Sequence, residues 1–262
     1  MNIFSLSFGK DSMATLILAA EQGIPIDRVM YCDIRFSPEL SGEHPLMAAW
    51  IPTAERRLKE LFGIEVEHAY CRFTFCDGFY RKHVKGKLEG EICGYPLING
   101  SWCNDLKRIA IRKYYKGIAP STQIVEFVGI AYDEPKRWDR MLNKQTKNRK
   151  CRSILVEQCI TEQECFCICR KYDLLSPMYD VDGIYRGGCW FCPKQCMADL
   201  WSLWKNYPDL YNRLLEMEPY SHNTFKPRGV TLALLAERFE NGYIPKRKVK
   251  SKFVQLDMFD KV

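Results

Sequence analysis

Polar residues near the start of the chain have the types and spacing of an anion-binding turn. Ser5-Leu6-Ser7-Phe8-Gly9-Lys10-Asp11-Ser12 follows a short apolar run and precedes residues whose apolar positions recur at helical spacing. The free N–H groups and positive dipole end of such a helix attract anions, and Lys10 adds a positive charge. The turn is therefore predicted to bind the phosphates of a nucleotide. An ordinary strand-to-helix turn, capped by Asp11 or Ser12, is the alternative interpretation.

Two clusters of cysteines in the second half of the chain form another chemical feature. Thirteen cysteines in a chain with no recognisable secretory signal favour metal binding over a disulfide scaffold. Cys189 and Cys192 form a Cys-x-x-Cys pair in a glycine-rich turn, where two thiolates can bind one ion. Cys165 and Cys169 share one face of a predicted helix, and Cys196 follows Cys192 by one helical turn.

These spacings define a predicted ligand set for a metal centre. It consists of Cys169, Cys189, Cys192 and either Cys165 or Cys196. Zinc would make the centre a structural element, whereas a [4Fe–4S] cluster would connect it with sulfur transfer. Reduced cysteines that bind no metal are the remaining alternative.

Length and charge limit the classes of protein to consider. The 262 residues suffice for one large α/β domain with an appendage, or for two small domains. The 39 Lys and Arg residues against 32 Asp and Glu give a formal net charge of +7, which suits a nucleotide and also nucleic acid. Charged residues interrupt every apolar run that could span a membrane. We expect a cytoplasmic protein without membrane contact, and its oligomeric state stays open.

Strands and helices are predicted to alternate along the first 160 residues. Strand patterns cover residues 3–7, 28–33, 64–68 and 123–130, with 153–156 as a fifth candidate. Helices are predicted from residue 11 onward, over about 44–62 with a break or a start near Pro52, and over 104–116. This order favours a Rossmann-like open parallel sheet with helices on both faces. Asp33 ends the second strand, at the edge where such sheets bind ligands, and either contacts a nucleotide or caps the next segment.

The chain is predicted to have three regions. A nucleotide-binding α/β domain covers residues 1–160, a cysteine-cluster helical cap covers 161–244, and a basic tail covers 245–262. The first region contains an irregular insert at about 70–100. Its interleaved aromatic and basic residues suit contact with a nucleotide or with bases, and equally a half-buried loop over the sheet.

The opening turn resembles the pyrophosphate-binding loop of the N-type ATP pyrophosphatases, and most closely that of the phosphoadenosine phosphosulfate (PAPS) reductase family. Members of this family usually carry Ser-Gly-Gly-x-Asp-Ser, and Phe8 replaces the first glycine here. Residues 101–107, Ser-Trp-Cys-Asn-Asp-Leu-Lys, are similar to the family's Trp-Cys-x-x-Leu-Lys segment. The family includes relatives of the DNA phosphorothioation sulfurtransferases.

Two more motifs follow in the family's order, so that the resemblance spans about residues 2–215. Residues 128–137 resemble the strand-end motif Gly-Ile-Arg-x-x-Glu-Ser-x-Arg, with Ala131 and Pro135 in place of Arg and Ser. Residues 185–193, Tyr-Arg-Gly-Gly-Cys-Trp-Phe-Cys-Pro, are similar to the family's Arg-x-Gly-Cys-x-x-Cys-Pro ending. Motifs in a fixed order are more specific than any one of them.

The resemblance implies an enzyme that binds ATP or a related adenine nucleotide and carries out ATP pyrophosphatase-type adenylation. Sulfur transfer onto nucleic acid or a nucleotide would be a coupled step. Lys10, Asp11 and Lys107 are the predicted catalytic residues, and Asp11 either holds Mg²⁺ or caps the helix. The predicted nucleotide-binding residues are Ser5, Ser7, Phe8, Gly9, Lys10, Asp11, Ser12, Asp33, Gly129 and Arg137.

Two other functions compete with this interpretation. The first is a sulfonucleotide (PAPS or APS) reductase, although the thiol-dependent enzymes of that kind use a cysteine in Glu-Cys-Gly-x-His and no cysteine follows Cys196 here. The second is a non-catalytic module that binds nucleotide or nucleic acid at a replication clamp. Gln255 to Phe259, Gln-Leu-Asp-Met-Phe, resemble the peptide with which bacterial replication proteins dock on the sliding clamp. The basic residues before it suit contact with nucleic-acid phosphates.

Overall fold

A parallel β-sheet flanked by helices forms the centre of the protein. The computed structural model describes residues 1–97, 102–118, 121–182, 184 and 187–246. In this part, the sheet contains β1 (Asn2–Leu6), β2 (Arg28–Asp33), β5 (Val66–Tyr70), β6 (Ile124–Val128) and β7 (Arg149–Arg152), in the order β5-β2-β1-β6-β7. All four pairings are parallel. The short strands β3 (Arg35–Ser37) and β4 (Leu40–Ser41) pair separately and antiparallel.

Helices follow most of the strands. The first half of the chain contains α1 (Lys10–Glu21), α2 (Pro45–Phe62), α3 (Phe75–Tyr80), α4 (Cys103–Lys116) and α5 (Pro135–Leu142). The second half contains α6 (Ile154–Glu157), α7 (Glu162–Lys171), α8 (Met178–Val181), α9 (Met197–Asn206), α10 (Pro208–Met217), a 3-10 turn (Glu218–Tyr220) and α11 (Leu232–Glu240). Among the described helices, none has the length and apolar character needed to cross a lipid bilayer.

The order of the strands creates a crevice beside β1. From β1 the chain proceeds to β2 and β5 on one side, and it then returns to place β6 and β7 on the other. Ser5 of β1 is in register with Val128 of β6, so the turns that follow these two strands meet at the carboxyl edge of the sheet. Open α/β sheets bind ligands at such a reversal of strand order.

Two large hydrophobic clusters hold the layers together. The first packs α1, α2 and α7 against the sheet and includes Leu16, Leu58 and Phe166. The second joins α3 and α4 to the later helices and includes Phe75 and Leu203. Both clusters combine residues from either side of position 160: α7 and α8 contribute to the first cluster with the sheet, whereas α9 to α11 contribute to the second.

The structure confirms the α/β class and most predicted elements. The strand predicted at 28–33 has these bounds, and the helix predicted over 44–62 begins one residue later, at Pro45. Pro52 lies inside this helix without ending it. The helix is bounded by His44, whose Nδ1 accepts the Leu46 N–H, and by Gly63 in the left-handed conformation with φ of 67°.

The fifth strand was predicted wrongly. Residues 154–157 form α6, and the strand is β7 within the preceding basic run. Ser153 caps α6 because its hydroxyl accepts the Val156 N–H. In β7 only the Cys151 side chain is fully buried, as expected for an edge strand with polar neighbours. Residues 247–262, with the clamp-like peptide, lie outside the described residues.

Candidate functional site

A cavity of about 280 Å³ opens at the carboxyl edge of the sheet, where the turn after β1 begins α1. Six residues predicted from the sequence line it: Ser7, Gly9, Lys10, Asp11, Lys107 and Arg137. They come from three different parts of the chain, namely the opening turn, α4 and α5. The structure therefore brings most of the predicted phosphate-binding residues to one place.

Hydrogen bonds within the opening turn fix its shape. The Ser7 N–H donates to the Ser12 hydroxyl over 3.1 Å, and that hydroxyl donates to the Gly9 carbonyl over 3.0 Å. The Met13 N–H also donates to the Gly9 carbonyl, over 3.0 Å. Ser12 thus stabilises the turn from within, while Ser7, Gly9 and Lys10 line the cavity.

Phe8 has an unusual conformation for a residue with a side chain. Its φ is 52°, in the left-handed region that favours glycine, which the resembled loop has at this position. The ring is buried and packs edge-on against Tyr31, with ring centroids 4.9 Å apart. Phe8 therefore keeps the backbone path of a glycine turn, but its side chain faces the core and not the cavity.

Lys10 and Asp11 form a buried ion pair at the start of α1. The Lys10 Nζ lies 2.7 Å from Asp11 Oδ1, and the Lys10 backbone N–H donates to the Tyr179 hydroxyl over 3.1 Å. Burial raises the pKa of Asp11, Lys10 lowers it, and the carboxylates of Glu162 and Glu134 raise it again. The site thus has more negative charge than Lys10 alone balances, which favours a bound cation.

Three carboxylates meet beside the turn and could hold a metal ion. Oxygen atoms of Asp11, Glu134 and Glu162 all lie within 4.8 Å of one another. Glu134 directly precedes α5, and its Oε2 is 2.5 Å from Arg137 Nη1. Glu162 is the first residue of α7, and its backbone N–H donates to Asp133 over 3.0 Å. Carboxylate oxygens are the protein ligands that Mg²⁺ prefers, so the donor set fits that ion.

The sequence analysis missed two of these carboxylates. Glu134 belongs to the strand-end motif at 128–137, which could have signalled it. Glu162 follows Thr161, whose side chain forms a capping box with Glu164, and nothing in this local pattern distinguishes Glu162 from an ordinary first-turn acid. Only the packing of α7 against α1 brings it to Asp11.

The opposite wall of the cavity contains a second buried carboxyl group that the sequence did not indicate. Glu43 follows β4 and forms an isolated β-bridge with Cys189, and the Tyr31 hydroxyl donates to its Oε1 over 3.1 Å. Burial raises the pKa of Glu43, whereas Tyr31 and the ammonium of Lys107 lower it. Lys107 is placed at this wall and can balance a charged Glu43.

Several predicted residues do not line the cavity. Ser5 points sideways from β1, and its hydroxyl donates to Glu126 Oε1 over 2.7 Å. Gly129 packs against the backbone of Ser12 in the first turn of α1. Asp33 lies between Cys32 and Ile34, which do line the cavity. Its Oδ1 is buried and, among the described residues, has no hydrogen-bond partner.

The predicted ligand set of Cys169, Cys189, Cys192 and either Cys165 or Cys196 does not converge on one point. Cys165 and Cys169 are fully buried between α7 and α1, and the Cys169 thiol donates to the Lys10 carbonyl over 3.2 Å. Within the described ranges, no three cysteine sulfurs lie within 4.8 Å of one another. The shared face of Cys165 and Cys169 is confirmed, but it packs into the first hydrophobic cluster because thiols behave there as small apolar groups.

A different cysteine accompanies the Cys-x-x-Cys turn. Cys103, at the start of α4, lies near Cys192, and both lie close to Cys189. Burial first, and then Cys192, raise the pKa of Cys103 to about 12. The sequence placed Cys103 in the Trp-Cys-x-x-Leu-Lys segment and not among the metal ligands, and only the fold shows its place beside the turn.

Lys226 fixes the turn that contains Cys192 and Cys196. Its buried ammonium donates to the carbonyls of Pro193 and Gln195 over 2.7 and 2.5 Å. Burial lowers the pKa of Lys226 to about 8, opposed by nearby Cys192 and Cys196. These cysteines line a second cavity of about 690 Å³, which shares Gly187, Gly188 and Cys189 with the first. The cysteine-rich turn therefore adjoins the candidate nucleotide site.

Comparison with protein-family models, with curated proteins and with solved structures found no match for this chain. The chemistry of the site must be argued from its own residues. A turn at a helix N-terminus, two lysines, one arginine and a three-carboxylate cluster can hold a polyphosphate together with a divalent cation.

Proposed function

We propose that the protein binds an adenine nucleotide in the 280 Å³ cavity and transfers its adenylyl group, as members of the PAPS reductase family that it resembles do with ATP. The observation that carries the proposal is the meeting of Asp11, Glu134 and Glu162 beside the turn that contains Lys10. These residues come from three separate segments. Their convergence on a predicted phosphate-binding turn supports a site for a nucleotide with its metal ion.

The backbone of the opening turn and the charged side chains at the cavity have distinct roles in this reaction. N–H groups of the opening turn and Lys10 bind the β- and γ-phosphates. Lys107 and Arg137 reach the cavity from other directions and orient the α-phosphate. The nucleophile of the acceptor forms a bond to the α-phosphorus, and the bond to the bridging oxygen breaks. Pyrophosphate leaves with the bonding electron pair. Mg²⁺ held by the three carboxylates would neutralise phosphate charge.

Recognition of the nucleoside is assigned to the end of β2. Asp33 has a buried oxygen that accepts no hydrogen bond within the described structure. Arg35 Nε is 4.0 Å from the other carboxylate oxygen of Asp33. A buried carboxylate oxygen is stabilised when it gains a donor, and a ribose hydroxyl or an adenine amino group can provide one.

A metal centre at the cysteine-rich turn is the second part of the proposal. Cys103, Cys189 and Cys192 are its proposed ligands, with Cys196 as the fourth, and α9 to α11 form the helical region around them. Among the described residues no three of these sulfurs lie within 4.8 Å of one another, so the side chains would have to move closer together to bind one ion. Soft thiolates suit zinc or a [4Fe–4S] cluster. An iron–sulfur cluster there would adjoin the nucleotide cavity through Cys189, which supports a coupled sulfur transfer.

Calorimetry and pyrophosphate release test the nucleotide site. We expect ATP to bind in the presence of Mg²⁺, and we expect Asp11→Asn to weaken this binding at least tenfold. Asp209→Asn, which removes a charge from exposed Asp209 of α10, is the matched control and should bind ATP as the unchanged protein does. Failure of ATP to bind would refute the proposal. ATP binding without pyrophosphate release would favour a non-catalytic module. Release of sulfite from PAPS would favour a sulfonucleotide reductase.

A further inference from the structure

A lobe of ordered backbone protrudes between β5 and α4. We call residues 81–94 the basic lobe. The Cys93 N–H donates to the Arg81 carbonyl over 2.8 Å, and the His83 N–H donates to the Glu91 carbonyl over 2.9 Å. At its tip, Gly86 has a φ of +91°, which glycine adopts without strain. The two sides of the lobe are thus paired like a hairpin.

The lobe presents cations and apolar groups together. Arg81, Lys82, Lys85 and Lys87 are all exposed, and 84% of the Val84 side chain is accessible to solvent. Exposed Glu89 and Glu91 reduce the net positive charge of the lobe. Glu91, however, lies at the base of the lobe, where it accepts a hydrogen bond from His222 over 3.0 Å. The tip between residues 82 and 88 therefore contains cations and apolar side chains without an acidic residue.

Exposed aromatic rings lie next to the lobe. Tyr80 and Tyr220 are about half exposed, and their ring centroids are 6.2 Å apart at its base. Phe73 is 42% exposed, and the Arg72 guanidinium lies 4.5 Å from its ring centroid. Half-exposed Tyr70 is in register with Asp33 at the end of β2, beside the nucleotide cavity. Tyr70, Phe73 and Tyr80 follow one another along the chain between the end of β5 and the start of the lobe.

We propose that the basic lobe and these four rings bind single-stranded nucleic acid. The cations match the regular negative charge of a phosphate backbone, and exposed rings stack on bases that are free of a partner strand. The bases of a duplex are stacked on one another, so a duplex would contact only the cations of the lobe and not the rings. An acidic protein surface would match the charges but leave four half-exposed rings without a role. The combination therefore favours single strands, and it does not depend on the nucleotide cavity.

Fluorescence anisotropy with labelled single-stranded DNA and RNA oligonucleotides tests the proposal on the full chain. Lys85→Ala combined with Lys87→Ala should lower the slope of log Kobs against log salt by about 1.4, since each phosphate contact contributes about 0.7. Tyr220→Ala should weaken binding roughly fivefold or more because it removes a stacking ring. Lys144→Ala with Lys147→Ala is the matched control, since these exposed lysines precede β7 at the opposite edge of the sheet.

The outcomes separate this inference from the proposed function. Binding of single strands that both lobe variants weaken and the control leaves intact supports it. It is overturned by absence of binding, by preference for duplexes, or by equal losses in the control. ATP affinity, measured on the same variants, should stay unchanged. A loss of single-strand binding with intact ATP binding, or the reverse, therefore identifies which of the two sites is absent.

Discussion

Gly129 and Ser12 are packed backbone to backbone. A Cβ built on Gly129 would lie 2.4 Å from the Ser12 nitrogen and 2.5 Å from its Cα. The end of β6 thus presses on the first turn of α1, where the candidate phosphate site begins. Only a residue without a side chain permits this distance. Close packing, and not an unusual φ, therefore explains why glycine stands at the end of β6.

This packing predicts that Gly129→Ala damages the nucleotide site more than the fold. The added methyl group must push the start of α1 away from β6, which displaces the N–H groups of the turn. We expect ATP affinity, measured by calorimetry, to fall at least tenfold. Gly117→Ala is the control, because its Cβ would come no closer than 3.3 Å to a neighbour. Equal ATP affinity of both variants would contradict the assigned site.

Replacement of Phe8 by glycine should destabilise the protein although it relieves backbone strain. The left-handed conformation costs a residue with a side chain about 1–2 kcal/mol, whereas loss of a buried phenylalanine ring costs about 3–5 kcal/mol. We expect a net loss of about 1–4 kcal/mol in the free energy of unfolding, measured with urea. Phe73→Ala, at an exposed ring, should change it by less. A Phe8→Gly variant more stable than the parent would show that strain dominates.

Glu43 should make the protein less stable as the pH rises. Burial raises its pKa in the folded state above its ordinary value of 4.5, so the folded state binds more protons than the unfolded state between these two pKa values. The free energy of unfolding therefore falls as the pH rises through this window. Glu43→Gln should flatten that part of the profile, measured by urea unfolding from pH 4 upward. Exposed Glu240→Gln should leave the slope unchanged, and a profile unaffected by Glu43→Gln would refute the assignment.

Cysteine variants distinguish the proposed metal centre from the buried cysteines of α7. Metal analysis and an ultraviolet–visible spectrum of the purified protein identify zinc or iron–sulfur. Cys103→Ser and Cys192→Ser should lose the metal, because both lie at the cysteine-rich turn. Cys165→Ser and Cys169→Ser should keep it but lose stability, since a hydroxyl replaces a buried thiol in the first hydrophobic cluster. Metal loss in the α7 variants instead would support the ligand set predicted from the sequence, which contains Cys169.

The sequence by itself determined the local features of this protein. The apolar run before Ser7 and the helical spacing after Asp11 sufficed for β1, the turn and α1. The period of 3.6 residues placed Cys165 and Cys169 on one helical face. Helix signals gave the outer bounds of α2 within one residue, although they left open a break or a start near Pro52. Such features depend on neighbours a few residues apart, so the sequence pattern contains them directly.

Only the tertiary structure decided which distant residues meet. Asp11, Glu134 and Glu162 belong to separate segments, and the parallel sheet with α7 against α1 brings them together. The same packing took Cys165 and Cys169 into the core and left Cys103 beside Cys189 and Cys192. Parallel strands pair across long connections, and no local pattern records which helix faces which. The composition of the site therefore had to come from the fold, because its contacts are long-range.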